Sequence, residues 1–449
     1  MRLLFLLILF LSLFTGCYHL RQGSGLATYA KGLLHEKADK KEEAIEAYRK
    51  TIWKEGESSY LYVKMGNLYV KDKKTKEAKR CFFRALRIDP DNFDALFSLG
   101  ITYLLENNHQ LAASYMKKGL SLEPENQSAR MVLCDMLVAL NQLEEASEQY
   151  KILLEAFPNN YLLWFNHGNL FERMEQYDKA EEAYLSSIKL SQSFWKGIVA
   201  LALLYSKQGK EAEANEYFRR AVSLNPKDSV SYSFLISSSY RAKEKEKTKS
   251  LLNEALGNGI RNAEFYNLLG TIYSEEEDYP RAEEFFRKST QLQDTSTARF
   301  YLGMVYDKMN LPEKMEEEMK KAIEIEPENA LALNYLGYSY LVKDRNLQEA
   351  YELIKRACSI EPENGAFLDS LGWAYFKQGN YRKAKKYLEK AAGIEQDAEI
   401  YEHLGYLYLE LSEYTKSITW FMKAYEIGKN AKLIDKIEEV RQRIKNEIN

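Results

Sequence analysis

Proline and glycine are scarce in this chain of 449 residues, which contains only 8 Pro and 22 Gly. A protein built from short β-strands needs a turn about every 8–12 residues, and Gly and Pro supply most such turns. Their scarcity argues against an all-β architecture and leaves room for long helices. The net charge is also small, because 63 Lys and Arg are balanced by 66 Asp and Glu. We therefore expect no nucleic-acid partner, since nucleic-acid binding requires a basic surface.

Cysteine and histidine are few as well, with 4 Cys and 5 His in the chain. The cysteines form no CxxC motif, and no two histidines lie within one helical turn of each other. Both a metal site and a disulfide framework therefore lack ligands, and we expect no cofactor. Cys81, Cys134 and Cys358 are expected to be buried, unreactive thiols. His167 is expected to be a core histidine rather than a catalytic one.

The one long apolar run lies at the start of the chain, at residues 3–14, where only Ser12 is polar. A transmembrane helix needs about 20 apolar residues, so this run is the length of a signal-peptide core instead. It ends in the letters LFTGC, which resemble a bacterial lipobox. In that motif a signal peptidase cuts before the cysteine, here Cys17, and the new N-terminus carries acyl chains. Phe14 departs from the Leu that is usual at its position, and an ordinary secretory signal with an incidental cysteine is the alternative.

This resemblance divides the N-terminus into a lipoprotein signal peptide at 1–16 and the lipidated Cys17 with a short tether at 17–24. The seven residues after Cys17 reach at most ~25 Å, so the folded part would sit close to a lipid bilayer. Several acyl chains hold a protein to a bilayer far more firmly than one does. Tyr18 is not the Asp that similar lipoproteins use for inner-membrane retention. The resemblance therefore implies a lipid-anchored protein of the bacterial cell envelope, at the periplasmic face of the outer membrane.

The rest of the chain is repetitive, because Pro-x-Asn or Pro-x-Asp recurs with spacings near 34 residues. In the unit 59–92, apolar or small side chains fall at i, i+3, i+4 and i+7 in each half, which predicts two amphipathic helices. Gly66 and Ala78 are small where the two helices must approach, and Phe82 fills the space beyond them. An Asn or Asp after the closing proline is placed to cap the next helix. The six prolines of this kind are at positions 90, 124, 158, 226, 327 and 362.

This period and this pattern of small and aromatic residues resemble the tetratricopeptide repeat (TPR) family over residues 25–431. The resemblance implies an all-α fold, a right-handed α-solenoid of about twelve TPR helix pairs. Residues 432–449 form an amphipathic segment that is predicted to cap the C-terminal end of the stack, as solenoids require. The unit 229–262 is degenerate, because Ile236 occupies the position of the small residue. A one-residue shift, with Ser237 at that position and Tyr240 as the next aromatic, is one way to restore the pattern.

The repeats leave no room for a catalytic domain, and the chain has no phosphate-binding loop, GxSxG or HExxH motif. We therefore expect that it is not an enzyme and that its surface does the work. In TPR arrays the concave wall is lined by first-helix residues, and large aromatic and Met side chains dominate interface energetics. The partner-binding groove is predicted to contain Phe300, Tyr301, Met304, Tyr335, Tyr338, Trp373, Phe376 and Tyr406. A weaker apolar stripe comprises Tyr60, Val63, Phe97, Ile101, Leu104 and Met131.

Together these features predict a membrane-anchored extracytoplasmic TPR scaffold that binds protein or peptide partners through its concave groove. Similar lipoproteins suggest a role in the assembly or secretion of a cell-envelope structure. The alternative is a polysaccharide-binding or synthesis-assisting envelope lipoprotein that stacks sugar rings on the same aromatic side chains. The sequence does not separate these two functions.

Overall fold

The computed structural model describes residues 25–448, so the predicted signal peptide and tether at 1–24 lie outside the described residues. Within 25–448 the chain forms 25 α-helices and no β-strand. The chain divides into two compact units, Met1–Pro226 and Lys227–Asn449. In each unit, consecutive helices pack as antiparallel pairs, and each pair packs against the next. This arrangement confirms the predicted all-α solenoid.

The first unit contains six helix pairs. Their bounds are α1 (25–37), α2 (Lys41–Glu55), α3 (Ser59–Lys71), α4 (Thr75–Ile88), α5 (Phe93–Leu105), α6 (His109–Leu122), α7 (Gln127–Ala139), α8 (Leu143–Ala156), α9 (Tyr161–Arg173), α10 (Tyr177–Leu190), α11 (Trp195–Lys207) and α12 (Glu211–Leu224).

The second unit contains six further pairs and a final single helix. Their bounds are α13 (Ser229–Arg241), α14 (Lys245–Gly257), α15 (Ala263–Glu275), α16 (Tyr279–Leu292), α17 (Ser296–Lys308), α18 (Pro312–Ile325), α19 (Ala330–Val342), α20 (Leu347–Ile360), α21 (Gly365–Lys377), α22 (Tyr381–Ile394), α23 (Ala398–Glu410), α24 (Tyr414–Gly428) and α25 (Lys432–Ile448).

The tight turn inside every pair contains one residue with a left-handed backbone, which gives the repeat an independent marker. These residues are Asp39, Lys73, Asn107, Asn141, Glu175, Gly209, Lys243, Glu277, Asn310, Asp344, Gly379 and Ser412. Their spacing is close to 34 residues throughout. The turn between α19 and α20 is one residue longer and has a second left-handed residue, Asn346. The longer turn explains why the unit 330–364 has 35 residues.

Where a glycine lies at the crossing point of a pair, it has the role that the sequence predicted. A Cβ added to Gly66 would lie 2.7 Å from Cζ of Phe82, and one added to Gly270 would lie 2.8 Å from Cε1 of Phe286. Real Cβ atoms do not approach other atoms so closely, so only glycine lets the helices of these pairs meet at this distance. Phe82 and Phe286 are essentially completely buried. The aromatic ring on the second helix therefore fills the space that the glycine leaves.

The one-residue shift suggested for the unit 229–262 is wrong. Ile236, not Ser237, occupies the crossing point, where its side chain is 3% exposed, whereas Ser237 is exposed and Tyr240 is 44% exposed. The left-handed residue Lys243 also keeps the regular spacing of 34 from Gly209. Leu252, at the position on α14 that corresponds to Phe82 on α4 and Phe286 on α16, is fully buried. The irregularity is thus a larger residue at the crossing point rather than a change of register.

Capping residues begin the first helices as predicted. Asn92, Asn126, Asn160, Asp228, Asn329 and Asn364 each accept a hydrogen bond from a backbone N–H in the first turn of the following helix. Such a bond satisfies a donor that the helix itself leaves free. The remaining prolines also obey the prediction, since Pro280 and Pro312 lie at the first or second position of α16 and α18. Proline is tolerated there because no helical hydrogen bond is lost.

The last helix, α25, covers the C-terminal end of the second unit. Leu433, Ile437 and Val440 are at most 7% exposed and join the core that includes Phe421 of α24. The amphipathic cap predicted from the sequence is therefore present. Among the helices of residues 25–448, none is both long enough and apolar enough to span a bilayer.

Candidate functional site

The predicted groove residues lie on the first helices of four successive pairs in the second unit, α17, α19, α21 and α23. Seven of the eight are half-buried, which leaves part of each side chain open to a partner. Phe300 differs, because it is 7% exposed. Its ring packs against Tyr301, with ring centroids 5.5 Å apart, and edge-on against Tyr335 at 6.0 Å. Phe300 therefore supports the wall of the groove from behind instead of lining it.

Tyr335 is held in place at both ends. Its ring contacts Phe300, and its hydroxyl donates a hydrogen bond to Oδ2 of Asp307 on α17, 2.8 Å away. Burial and this carboxylate both raise the pKa of the Tyr335 hydroxyl, so it remains a neutral donor. Tyr301 stacks on the buried ring of Phe286, with centroids 5.7 Å apart. These aromatic side chains are positioned by contacts within the array, without a partner.

Trp373 is at the centre of a stacked aromatic group. The ring of His403 lies 4.0 Å from it at an interplanar angle of 15°, and the ring of Phe376 lies 4.6 Å from it at 6°. Tyr406 contacts the indole at a tilt, with centroids 6.1 Å apart. These stacked rings occupy the space over the indole that a sugar ring would need. Trp373 therefore offers its edge, rather than an open face, to a ligand.

His403 and Asp369 form a buried ion pair beneath this aromatic group. Nδ1 of His403 lies 2.9 Å from Oδ2 of Asp369, and both residues are at most 5% exposed. Burial alone would lower the pKa of His403, but Asp369 and the nearby Glu399 and Glu402 outweigh it and raise that pKa. The pair joins α21 to α23. Sequence reasoning missed it, although an acid and a base 34 residues apart on first helices are a usable signal.

Tyr338 spans a whole repeat. Its hydroxyl, on α19, donates a hydrogen bond to the carboxylate of Glu399 on α23 and so bridges over α21. Burial is the main cause that raises the pKa of the Tyr338 hydroxyl, and the Glu399 carboxylate raises it further. The contact joins helix pairs that are two repeats apart and does not follow from the sequence period, so Glu399 could not be predicted as a groove residue.

A small pocket of about 190 Å³ opens beside Tyr338. Four carboxylates line it, and none of its lining residues is Lys or Arg; the polar lining is Asn334, Tyr338, Asp369, Ser370, Glu395, Asp397 and Glu399. Oδ1 of Asn334 is buried and has no hydrogen-bond partner among the described atoms. The side chains that surround the pocket therefore present acceptors and negative charge, next to the half-buried aromatic rings of the groove.

The weaker apolar stripe of the first unit is more open. Tyr60 and Met131 are about half exposed, and Phe97, Ile101 and Leu104 are half-buried. Val63 is only 6% exposed and packs in the core near Phe82, so it does not belong to this surface.

The residues considered for chemistry are buried, as expected. Burial raises the pKa of the Cys81 thiol to about 11 and those of Cys134 and Cys358 to about 12, so all three stay protonated at neutral pH. Burial also lowers the pKa of His167 to about 4, and its Nε2 lies 2.9 Å from Oγ of Ser147. Among residues 25–448, no group of three or more His, Cys, Asp or Glu could hold a metal ion.

Comparison with protein families agrees with this geometry. Family models described as tetratricopeptide repeat match more than half of the chain, over residues 59–92, 81–114, 103–165, 161–194, 195–228, 263–295, 297–329, 341–404 and 398–429. The chain belongs to the tetratricopeptide repeat family. None of these matches includes the unit 229–262, the TPR in which Ile236 replaces the small residue.

Several known proteins are similar to parts of this chain. Human protein O-mannosyl-transferase TMTC3 is 24% identical over 55% of this chain and 29% of its own length. Bovine BBSome complex member BBS4 is 23% identical over 54% of this chain and 48% of its own length. The chain thus spans less than half the length of these two relatives. Among solved structures, the hetero-tetramer of APC/C proteins Cut9 and Hcn1 matches with a TM-score of 0.44 and 13% identity, over 87% of this chain and 91% of that chain.

Family membership supports a function at a coarse level. The stacked repeats form a scaffold of the kind used for protein–protein interaction.

Proposed function

We propose that this TPR scaffold is anchored by acyl chains on Cys17 to the periplasmic face of a bacterial outer membrane. There it binds protein partners through the groove of its second unit, in the assembly or secretion of a cell-envelope structure. The lipobox-like letters before Cys17 and the Tyr at position 18 support the anchor and its location. Anchoring would confine the scaffold to the membrane and raise its effective concentration toward membrane-bound partners. Binding, rather than catalysis, is the proposed activity.

The observation that carries the groove proposal is its preorganised aromatic wall. Tyr335, Tyr338 and Trp373 are each fixed by contacts inside the array and each remain partly open. Ordering a side chain on binding costs free energy, so aromatic side chains that are already ordered bind a partner at lower cost. Large aromatic residues also dominate the energetics of protein interfaces.

The charge of the groove favours a basic segment of the partner. The pocket beside Tyr338 has carboxylates on several sides, including Glu395, Asp397 and Glu399, and none of its lining residues carries a positive charge. A Lys or Arg side chain of the partner would find acceptors there, while its neighbours pack on the aromatic wall. Complementary charge of this kind governs specificity and association rate more than affinity.

The glycan-binding alternative is less well supported by the geometry. Stacking of a sugar needs an open aromatic face, and His403 and Phe376 already stack on Trp373 at 4.0 Å and 4.6 Å. Tyr338, in turn, uses its hydroxyl in the contact with Glu399. A protein segment that contacts ring edges and carboxylates suits this wall better.

Affinity purification from detergent-solubilised membranes tests the groove. The chain would be compared with the double variant Tyr338→Ala/Trp373→Ala and with the control Met422→Ala, which removes a 45% exposed side chain from the second helix α24. We expect specific partner proteins to be lost from the double variant and retained by the control. Circular dichroism would confirm that both variants keep their helices. Retention of every protein by the double variant, with loss of glycan instead, would favour the polysaccharide alternative.

A further inference from the structure

The first helix pair exposes apolar side chains at the end where the chain enters the fold. α1 begins at Gly25, and a Cβ there would meet the carboxylate of Glu55, the last residue of α2. Oγ1 of Thr51 on α2 also donates a hydrogen bond to Oγ1 of Thr28 on α1, 3.1 Å away. The start of α1 and the end of α2 are therefore side by side. A contact that fixes the start of α1 therefore also fixes the end of α2.

Large apolar side chains mark the same place. Trp53, two residues before the end of α2, is 84% exposed, and Leu26, one residue into α1, is 69% exposed. Along α1, Leu33 and Leu34 continue the apolar face at i+7 and i+8 from Leu26, with 37% and 69% exposure. Single exposed apolar residues are ordinary, but four on one helix pair, with Leu26 and Trp53 both at the end where the chain enters, indicate a contact surface.

The two ends of the array differ in this respect. At the C-terminal end, Leu433 and Val440 of α25 are buried against the last pair and cover it. At the N-terminal end, α1 has no covering helix among the described residues, and its outer face carries leucines. Solenoids need a polar cap at each end to remain soluble, so an apolar first helix requires another cover.

We propose that Leu26 and Trp53, at the end of the pair where the chain enters the fold, rest on the surface of the lipid bilayer and so orient the first unit on its membrane. This inference builds on the anchoring at Cys17 proposed above. Cys17 precedes Gly25 by eight residues, which places the acyl chains at most ~28 Å from the start of α1. Trp is enriched where a bilayer meets water, and leucine side chains insert readily into the same region.

Two other covers are less suitable. The tether 18–24 has only two large apolar side chains, Tyr18 and Leu20, which is too few to cover four. A second copy would cover this surface only at high protein density, which the test below separates from contact with lipid.

Brominated lipids provide the test, because bromine on an acyl chain quenches only those tryptophans that enter the bilayer. The chain from Cys17 onward, without acylation, would be coupled through Cys17 to vesicles with a maleimide headgroup lipid. The buried thiols of Cys81, Cys134 and Cys358 would not compete. Wild type, Trp53→Phe and the control Trp195→Phe would be compared in vesicles with and without bromine. Each variant keeps four of the five tryptophans.

We expect bromine to quench part of the wild-type emission, with that quenching lost in Trp53→Phe and retained in Trp195→Phe. Equal quenching in wild type and Trp53→Phe, or no quenching in any coupled sample, would overturn the inference. The inference would also be overturned if the emission of Trp53 changed with protein density but not with bromine. That result would show that a second copy of the chain covers this surface. Coupling replaces natural acylation, so this result is independent of whether Cys17 carries acyl chains in the cell.

Discussion

Replacing Gly405 with valine tests the helix-pair packing on which the whole array depends. Gly405 lies at the crossing point of α23 and α24, and a Cβ there would be 2.5 Å from Cε1 of Phe421. Phe421 is fully buried and packs edge-on against Tyr406, with centroids 5.1 Å apart, so its ring has little room to move. Three added carbons must therefore separate the helices or displace the ring.

The expected magnitude follows from two opposing terms. Overpacking of a close-packed core costs about 1–3 kcal/mol, and this site lies at the upper end because the obstacle is a buried ring. Valine is a better helix former than glycine by a few tenths of a kcal/mol, which offsets a small part. We expect a net loss of about 2–3 kcal/mol from the free energy of unfolding.

Gly393 provides a matched control in the same unit. It lies near the end of α22 and is exposed, and a Cβ there would meet no atom within 4 Å. The same substitution, Gly393→Val, should leave stability unchanged within about 0.5 kcal/mol or raise it slightly.

Hydrogen exchange measured on peptides from α23 and α24 gives the local stability of this pair, which a global melting curve of a repeat protein would average. Faster exchange in Gly405→Val than in Gly393→Val is the expected result. Equal protection in the two variants would refute the close approach of the helices at Gly405.

Other predictions address protonation, acylation and capping. Burial lowers the pKa of His167 to about 4, so the imidazole stays neutral in the fold, whereas in the unfolded chain it titrates near pH 6.5. The free energy of unfolding of its unit should therefore fall by up to about 3 kcal/mol as the pH falls from about 6.5 to 4. The variant His167→Phe should show a weaker pH dependence in urea denaturation over this range. The pH dependence from His403 has the opposite sign, because its pKa is raised in the fold. This residue stabilises the fold below about pH 6.5, and the stabilisation is lost as the pH rises through the raised pKa. NMR titration of the imidazole would show the raised pKa. Cys17→Ser should abolish labelling by radioactive palmitate, and label retained by the variant would disprove the anchor. Asn329 caps α19 and also donates from Nδ2 to Oγ of Ser296, 2.7 Å away, so Asn329→Ala should cost about 1–2 kcal/mol in thermal or urea unfolding.

Much of the fold could be predicted from the sequence because each repeat is a local unit. The spacing of prolines set the period, Gly66 and Phe82 marked the crossing point, and the residues after the prolines, such as Asn92, became helix caps. The unit 229–262 was misread because a pattern records residue types and not volumes. Ile236 is buried at the crossing point although it is not small, and the register of the repeat is unchanged.

The groove was predictable only in part. First-helix positions predicted that Tyr338 and Trp373 lie on the same side, since every repeat presents the same positions to the same side. The partners of these residues depend on contacts between repeats that the period does not specify. Glu399 reaches Tyr338 across an intervening repeat, and His403 covers Trp373, so the free faces of the rings could not be read from spacing. Phe300 has the same kind of position as its neighbours, yet packing turns it inward.

Site-specific photo-crosslinking tests the central claim most directly, that the groove of the second unit is where other proteins bind. A benzophenone amino acid would replace Tyr338 in the groove and, as the control, Met422 on the second helix α24. On irradiation of intact cells, we predict protein adducts from position 338 and few from position 422. Abundant adducts from position 422 with none from position 338 would contradict the account.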